Sequence, residues 1–469
     1  MKNFKLVCCI FILSVFYSKR SDASHIFGAE IYYRCLGNND YEITTIIYRN
    51  CTVVPLDVVY FELTNQCGYP TQTIAISYSG PVDLNLTCPT AISWCNGGSY
   101  DGIEKYIDTR TVHLPGVCSE WKLGGGDFGA NSAFTTILQN GADLRYVECL
   151  INNTNGICNE SPQPLTDPFT KFTVNQRIAY PYSVEDSEND SLYFELVPSL
   201  NGPNPGYEVN YLPGYSYLQP LICSVPVSID HSAGLIEAVP SAIDFSIFAV
   251  KISEYRNGVL IGYTIRNMCI EIINSLNIPP ALSGIQGVPV YNKDIEIGQN
   301  NCFFITGTDS ANNTELIVNN TIPGLTYTNS GGSIDTLFFC WNPIPADTLN
   351  NPHHLSITVK NDACPYILSD TRDFYFNVIP PSVGIEKNIS DNISIVPNPF
   401  IDQLNVSINE NRNYDLYVYD LQGKLILTQK INSGITSVNT DKISNGFYMV
   451  SIIDPDGKIH VRKKLVKNR

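Results

Sequence analysis

Phe248-Ala249-Val250-Lys251-Ile252-Ser253-Glu254-Tyr255-Arg256-Asn257-Gly258-Val259-Leu260-Ile261-Gly262-Tyr263-Thr264-Ile265 is the most regular stretch of this 469-residue chain. Phe248, Val250 and Ile252 alternate with Ala249, Lys251 and Ser253, and Val259, Ile261, Tyr263 and Ile265 alternate on the return. A period of two is the signature of a strand, whose side chains point to opposite faces in turn. Asn257-Gly258 supplies the positive φ angles of a tight type I′ connection. The stretch therefore predicts a hairpin with one apolar and one polar face, a half-buried antiparallel sheet.

The same signals recur outward from this hairpin. Glu30-Ile31-Tyr32-Tyr33-Arg34-Cys35 and Tyr41-Glu42-Ile43-Thr44-Thr45-Ile46-Ile47-Tyr48-Arg49 flank the turn residues Asn38-Asn39-Asp40 and predict a second hairpin. Strand-like runs follow at 58–63, 73–78, 105–114, 177–184 and 192–197, while 198–226 is rich in Pro, Gly and Tyr and reads as a long irregular loop. No stretch sustains an apolar period of 3.6 residues. The fold class expected is all-β: tandem Ig-like or cadherin-like β-sandwiches with a small β-sandwich at the C-terminus. Its domains run 24–164 (rich in cysteine), 165–277, 278–381 and 393–469, with a polar linker at 382–392. Pro279-Pro280 and Pro380-Pro381 close the second and third, because consecutive prolines cannot continue a ladder.

Residues 1–23 read as a secretory signal. Lys2 and Lys5 precede a short apolar run from Leu6 to Tyr17, and Ser21-Asp22-Ala23 offers small residues for cleavage. Cys8 and Cys9 lie in this signal. Of the remaining cysteines, eight fall between Cys35 and Cys158, Cys223 and Cys269 follow, and Cys302, Cys340 and Cys364 stand in the third domain. In an oxidising compartment they pair. Up to four disulfides are expected in the first domain, with the odd thiol in the third. The net charge of −16 repels phosphate backbones, so nucleic acid is excluded as a partner.

Few residues carry a chemical signature. Asp186, Glu188 and Asp190 alternate in one turn and could offer hard oxygen ligands to calcium, the single metal ion that the spacing suggests; the competing reading is a solvated acidic turn. No other cofactor is expected. Gly124-Gly125-Gly126-Asp127-Phe128-Gly129 lacks a following Gly-Lys-Ser/Thr and reads as a flexible loop. His353-His354 has no acid or cysteine at ligand spacing and reads as the opening of a strand at 355–359. No nucleophile elbow and no zinc-protease motif occurs, so no catalytic residue is assigned and the chain is not expected to be an enzyme.

The C-terminal stretch carries several motifs in order: Val396-Pro397-Asn398-Pro399-Phe400, Leu404-Asn405-Val406, Tyr419-Asp420-Leu421-Gln422-Gly423-Lys424, Ile443-Ser444-Asn445-Gly446-Phe447-Tyr448 and Lys463-Lys464-Leu465-Val466-Lys467. Together they resemble the C-terminal sorting domain of Bacteroidetes proteins exported by the type IX secretion system. The resemblance implies a sorting signal built on Pro397, Asn398, Pro399, Gly423, Gly446, Tyr448, Lys463 and Lys464. It also implies engagement with the type IX machinery, and either removal of the domain on release or attachment of the cargo to surface lipopolysaccharide. The residues alone agree: Pro397 and Pro399 fix an extended entry, Gly423 and Asp456-Gly457 suit hairpin turns, and the basic end contrasts with an acidic chain.

The N-terminal part, with Ser24-His25-Ile26, Glu30 to Cys35, the hairpin around Asn257-Gly258 and Asp186-Ser187-Glu188-Asn189-Asp190-Ser191-Leu192, resembles large surface proteins of the same phylum with cadherin-like modules. The expected function is a secreted or cell-surface binding protein, adhesin-like or structural, with an extracellular glycan or protein as ligand. The alternatives are a hydrolase with its site in the first domain, and a carbohydrate binder marked by a flat strip of exposed aromatics.

Overall fold

The computed structural model describes residues 26–51, 56, 58–129, 134–138, 144–168, 170–202, 206–332, 334–381, 392–455 and 459–468. The secretory signal, the linker through 391 and the expected turn at Asp456-Gly457 lie outside the described residues. Two compact units are present, one ending at Pro380 and one beginning at Pro381. Apart from four short 3-10 turns, the regular structure of the described residues is strand.

Both hairpins form. Phe245–Arg256 pairs with Val259–Ile273, and Asn257 and Gly258 take φ of +53° and +78° in the turn. Ile26–Gly37 pairs with Asp40–Asn50 around Asn38 and Asn39, which also have positive φ. The expectation of a half-buried sheet does not hold for the first hairpin. Its polar positions Ser253, Glu254, Thr264, Arg266 and Asn267 are as buried as its apolar ones. The reason is tertiary: Val259–Ile273 lies inside a 14-stranded sheet, pairing with Ile26–Gly37, Leu144–Ile151 and, in parallel, Lys171–Thr173. That sheet runs across the boundary expected at 164/165. One core, with Phe172, Tyr182, Phe194, Val250 and Ile270, fills one face; the layer containing Phe27, Tyr48, Phe245 and Ile247 fills another part.

Two buried arginines face buried carboxylates. Arg266 lies 2.9 Å from Glu30, which also accepts the Tyr48 hydroxyl, and Arg49 reaches Glu104 at 2.7 Å. A buried charge left alone is costly, and these pairs compensate one another.

The glycine run is a strand rather than a loop. Trp121–Gly129 pairs with Val59–Asn65 and Leu144–Ile151. A Cβ on Gly124 would sit 2.0 Å from the Tyr146 hydroxyl, and one on Gly125 would sit 2.6 Å from the Phe61 ring. The glycines admit aromatic side chains from neighbouring strands, a long-range demand that local sequence cannot show.

Disulfides join Cys35–Cys158, Cys51–Cys95, Cys67–Cys118, Cys88–Cys364 and Cys302–Cys340. Cys149, Cys223 and Cys269 form no disulfide. The expected odd thiol in the third domain is thus not found: Cys364 takes Cys88 of the first, and Cys149 sits unbonded in the buried centre of the large sheet.

Residues 281–379 form two four-stranded sheets around Ile305, Phe339, Trp341, Ile357 and Phe374. The second unit is its own small sandwich, a three-stranded and a four-stranded sheet around Val406, Leu416, Val438, Val450 and Leu465.

Candidate functional site

In the turn between Val184–Glu185 and Ser191–Val197, oxygens of Asp186, Glu188 and Asp190 all lie within 4.8 Å of one another. The acids that alternate in the sequence therefore form a cluster, and each carboxylate already has protein partners. Asp186 Oδ1 accepts the Asp190 N–H at 2.7 Å, which closes the turn. Arg256 clamps Asp190 with two bonds of 2.8 and 2.6 Å. Glu188 accepts the Glu160 N–H at 3.1 Å and the Ser187 hydroxyl at 2.8 Å.

Behind the turn lies Glu254, fully buried, holding the Asn159 amide at 2.9 Å and the Tyr33 hydroxyl at 3.4 Å. Burial pushes the Glu254 carboxyl well above the usual carboxylate range, and Asp186 and Asp190 add to this. Burial also raises Asp186 and Glu188. The Glu254 carboxyl lies against Asp186, and in its protonated form it donates a hydrogen bond to that carboxylate. Glu254 and Arg256 sit at the turn end of the hairpin quoted above and carry no chemical signature in the sequence.

A cleft of about 440 Å³ opens beside this turn. One wall carries Asp186, Asn189, Asp190 and Phe194; the other carries Asp347, Asn351, His354, Asp373 and Tyr375. His353–Asn361 pairs with Ser369–Ile379, which sets His354 opposite Tyr375. The two rings stack at 5.1 Å, and His354 Nε2 lies 3.2 Å from Asp373 Oδ1. Asp373 also accepts the Ser183 hydroxyl at 2.7 Å, from the opposite wall. Burial and Asp373 push the Tyr375 phenol upward, so it stays protonated and can donate. No Lys or Arg lines the cleft among the described residues. His353-His354 was legible as a strand opening. Asp373 and Tyr375 had no sequence signal, because they meet His354 only across the ladder.

In the second unit, the residues of the expected sorting signal close one structure. Asn398 Oδ1 accepts the Val466 N–H at 2.8 Å, Phe400 N–H donates to Val466 O at 2.8 Å, and Asn468 N–H donates to Phe400 O at 3.0 Å. Pro397 and Pro399 stand exposed on either side of Asn398. Gly423, at φ +80°, completes a turn in which Asp420 Oδ1 accepts the Gln422 and Lys424 N–H groups. Gly446 opens the strand Gly446–Ile453, and the Tyr448 hydroxyl donates to Ser444 O at 2.7 Å. Lys463 reaches Ile395 O at 3.4 Å, and Lys464 lies over the Phe447 ring at 4.3 Å. Lys467, read as part of a basic patch, is buried instead. Its ammonium donates to Thr440 O at 3.0 Å and to Ile401 O, beneath the ring of Phe400.

Residues 394–468 match the family model described as the secretion system C-terminal sorting domain. The chain is therefore cargo of the type IX secretion system, engages that machinery, and is exported to the cell surface or the extracellular space. A 92-residue stretch is 25% identical to the ulvan lyase NLR42 of Nonlabens ulvanivorans, covering 19% of this chain and 17% of the lyase. The chain thus matches about a sixth of the length of that relative. Among solved structures it is similar to the endo-fucoidan hydrolase MfFcnA4 of glycoside hydrolase family 107, at 14% identity, TM-score 0.17, and 65% and 38% coverage of the two chains. It is also similar to zebrafish RET cadherin-like domains 1 to 4, at 13% identity, TM-score 0.16, and 67% and 72% coverage. The expectation that the chain is not an enzyme is withdrawn, because the stretch shared with a lyase removes its ground, the lack of any sign of catalysis.

Proposed function

We propose that this exported protein binds a polysaccharide outside the cell, and that soluble chains enter the cleft between Asp186 and Tyr375. The observation that carries this is the lining: carboxylates, amides, a phenol and an imidazole converge on a space of ligand size. Carboxylates accept hydrogen bonds from paired sugar hydroxyls, and the phenol and amides donate. With no cation in its walls, the cleft repels a polyanionic glycan and admits a neutral one. The stretch shared with a lyase named for ulvan supports a glycan ligand in general terms.

Titration calorimetry with neutral and uronate oligosaccharides tests this. Neutral chains should bind, and Asp373→Asn with Tyr375→Ala should weaken them about tenfold or more. Binding of uronate chains alone, or no change in the double variant, would reject the cleft. A second reading follows from His354, held by Asp373 at 3.2 Å: the imidazole acts as a base on the bound glycan. Shortened products that vanish with His354→Ala would establish it.

A further inference from the structure

The two sheets of residues 281–379 turn very different outer faces away from their shared core. One, carrying Asp373 and Tyr375, packs toward Ser183 and forms the cleft. The other consists of Ala281–Leu282, Asn301–Thr308, Ile334–Trp341 and Thr326–Asn329. Its inward residues, Phe303, Ile305, Leu337 and Phe339, are core. Its outward residues follow from the register. Phe304 pairs with Phe338, Thr306 with Thr336, and Thr328 lies opposite Phe338 on the edge strand. Phe338 is 51% exposed, and the Phe304 and Phe338 rings lie 6.2 Å apart.

Two properties distinguish this face. It bears no charge: none of the outward positions of Asn301–Thr308, Ile334–Trp341 and Thr326–Asn329 is Asp, Glu, Lys or Arg, in a chain of net charge −16. It is also cross-linked, since the Cys302–Cys340 disulfide joins directly paired outward positions of its two central strands. Aromatic rings with a negative face, interleaved with hydroxyls, match the two chemistries of a neutral sugar: weakly positive C–H faces and a rim of hydroxyl groups. Adjacent strands lie about 4.8 Å apart, close to the length of one sugar in an extended chain. A polyanion would find no cation here to repay its desolvation, and a protein partner of ordinary interface composition would leave the threonine rows facing apolar surface.

We infer that the outer face built on Phe304, Phe338, Thr306, Thr328 and Thr336 is a docking surface for a neutral polysaccharide in extended form. It deepens the proposed function without sharing residues with the cleft, so each can fail alone. The test uses the full chain with Phe304→Ser and Phe338→Ser, in pull-down isotherms on microcrystalline cellulose and on insoluble mannan, with alginate gel as the polyanionic control. Wild type should bind at least one of the two neutral solids and not the gel, and the double variant should bind that solid about tenfold more weakly. Its titration by soluble oligosaccharide in the cleft should stay unchanged. Folding of the variant is checked by an unaltered melt, and Thr306→Val with Thr336→Val serves as a milder second variant with a smaller loss in the same direction. Equal retention of wild type and both variants on the neutral solids, or retention on alginate alone, would overturn the inference. So would a change confined to sedimentation, which would make the face a contact between two copies.

Discussion

The body of the protein and its C-terminal unit solve the same problem by different means. Residues 1–381 hold 36 acidic and 18 basic residues and all the cysteines; residues 382–469 hold nine acidic and eleven basic residues and none. In the body, segments far apart in sequence are fastened by disulfides and by buried pairs such as Arg266–Glu30. In the C-terminal unit a single apolar core is closed by backbone bonds between its opening and closing segments. The first solution depends on oxidation and the second does not. A unit that must be recognised by export machinery is thereby independent of the state of the cargo's thiols.

The largest test of this contrast is Cys88→Ser with Cys364→Ser. That bond closes a span of 276 residues, and its loss should cost the body roughly 4–5 kcal/mol. In calorimetry the body's transition should fall while that of the C-terminal unit stays; movement of both would erase the distinction. Next comes Lys467→Met, which keeps the volume and takes the buried ammonium from the carbonyls of Thr440 and Ile401, leaving them only the Ile443 N–H and the Thr440 hydroxyl. It should destabilise the C-terminal unit by about 2–3 kcal/mol and reduce export, with the body's melt unchanged. Asn398→Ala should act the same way at about 1 kcal/mol.

Smaller effects belong to the acidic turn. The folded pKa of Glu254 is raised, so its contribution is fully present below the ordinary carboxylate pKa and is lost as pH rises through the folded value. Glu254→Gln keeps a neutral donor toward Asp186. It should flatten the loss of stability as pH rises through the folded value, read from melts across pH. The proposed calcium ion at Asp186, Glu188 and Asp190 should raise the body's melting temperature slightly over a chelated sample, by about 1 kcal/mol in stability. Identical melts would leave Arg256 and the Glu254 proton as the partners of these acids.

Sequence showed what local chemistry dictates. Asn38-Asn39 and Asn257-Gly258 form the expected turns because positive φ is a property of those residues themselves. The acidic cluster was likewise visible at 186–190. What long-range packing decides was hidden. Gly124 and Gly125 looked like a loop because Tyr146 and Phe61 arrive from other strands. Cys88 found a partner 276 residues away. Glu254 and Arg266 are charged residues of the hairpin, yet the strands around Val259–Ile273 bury both. Asp373 meets His354 only through the register of two strands. Lys467 shows the converse: its motif was legible, and its burial was not.

The bond from Asn398 to Val466 joins residues 68 positions apart. A polypeptide broken off anywhere between them has the opening motif and no strand to receive it. Such a fragment lacks the Val466 N–H that Asn398 accepts, so this closure forms only once the whole intervening span is present.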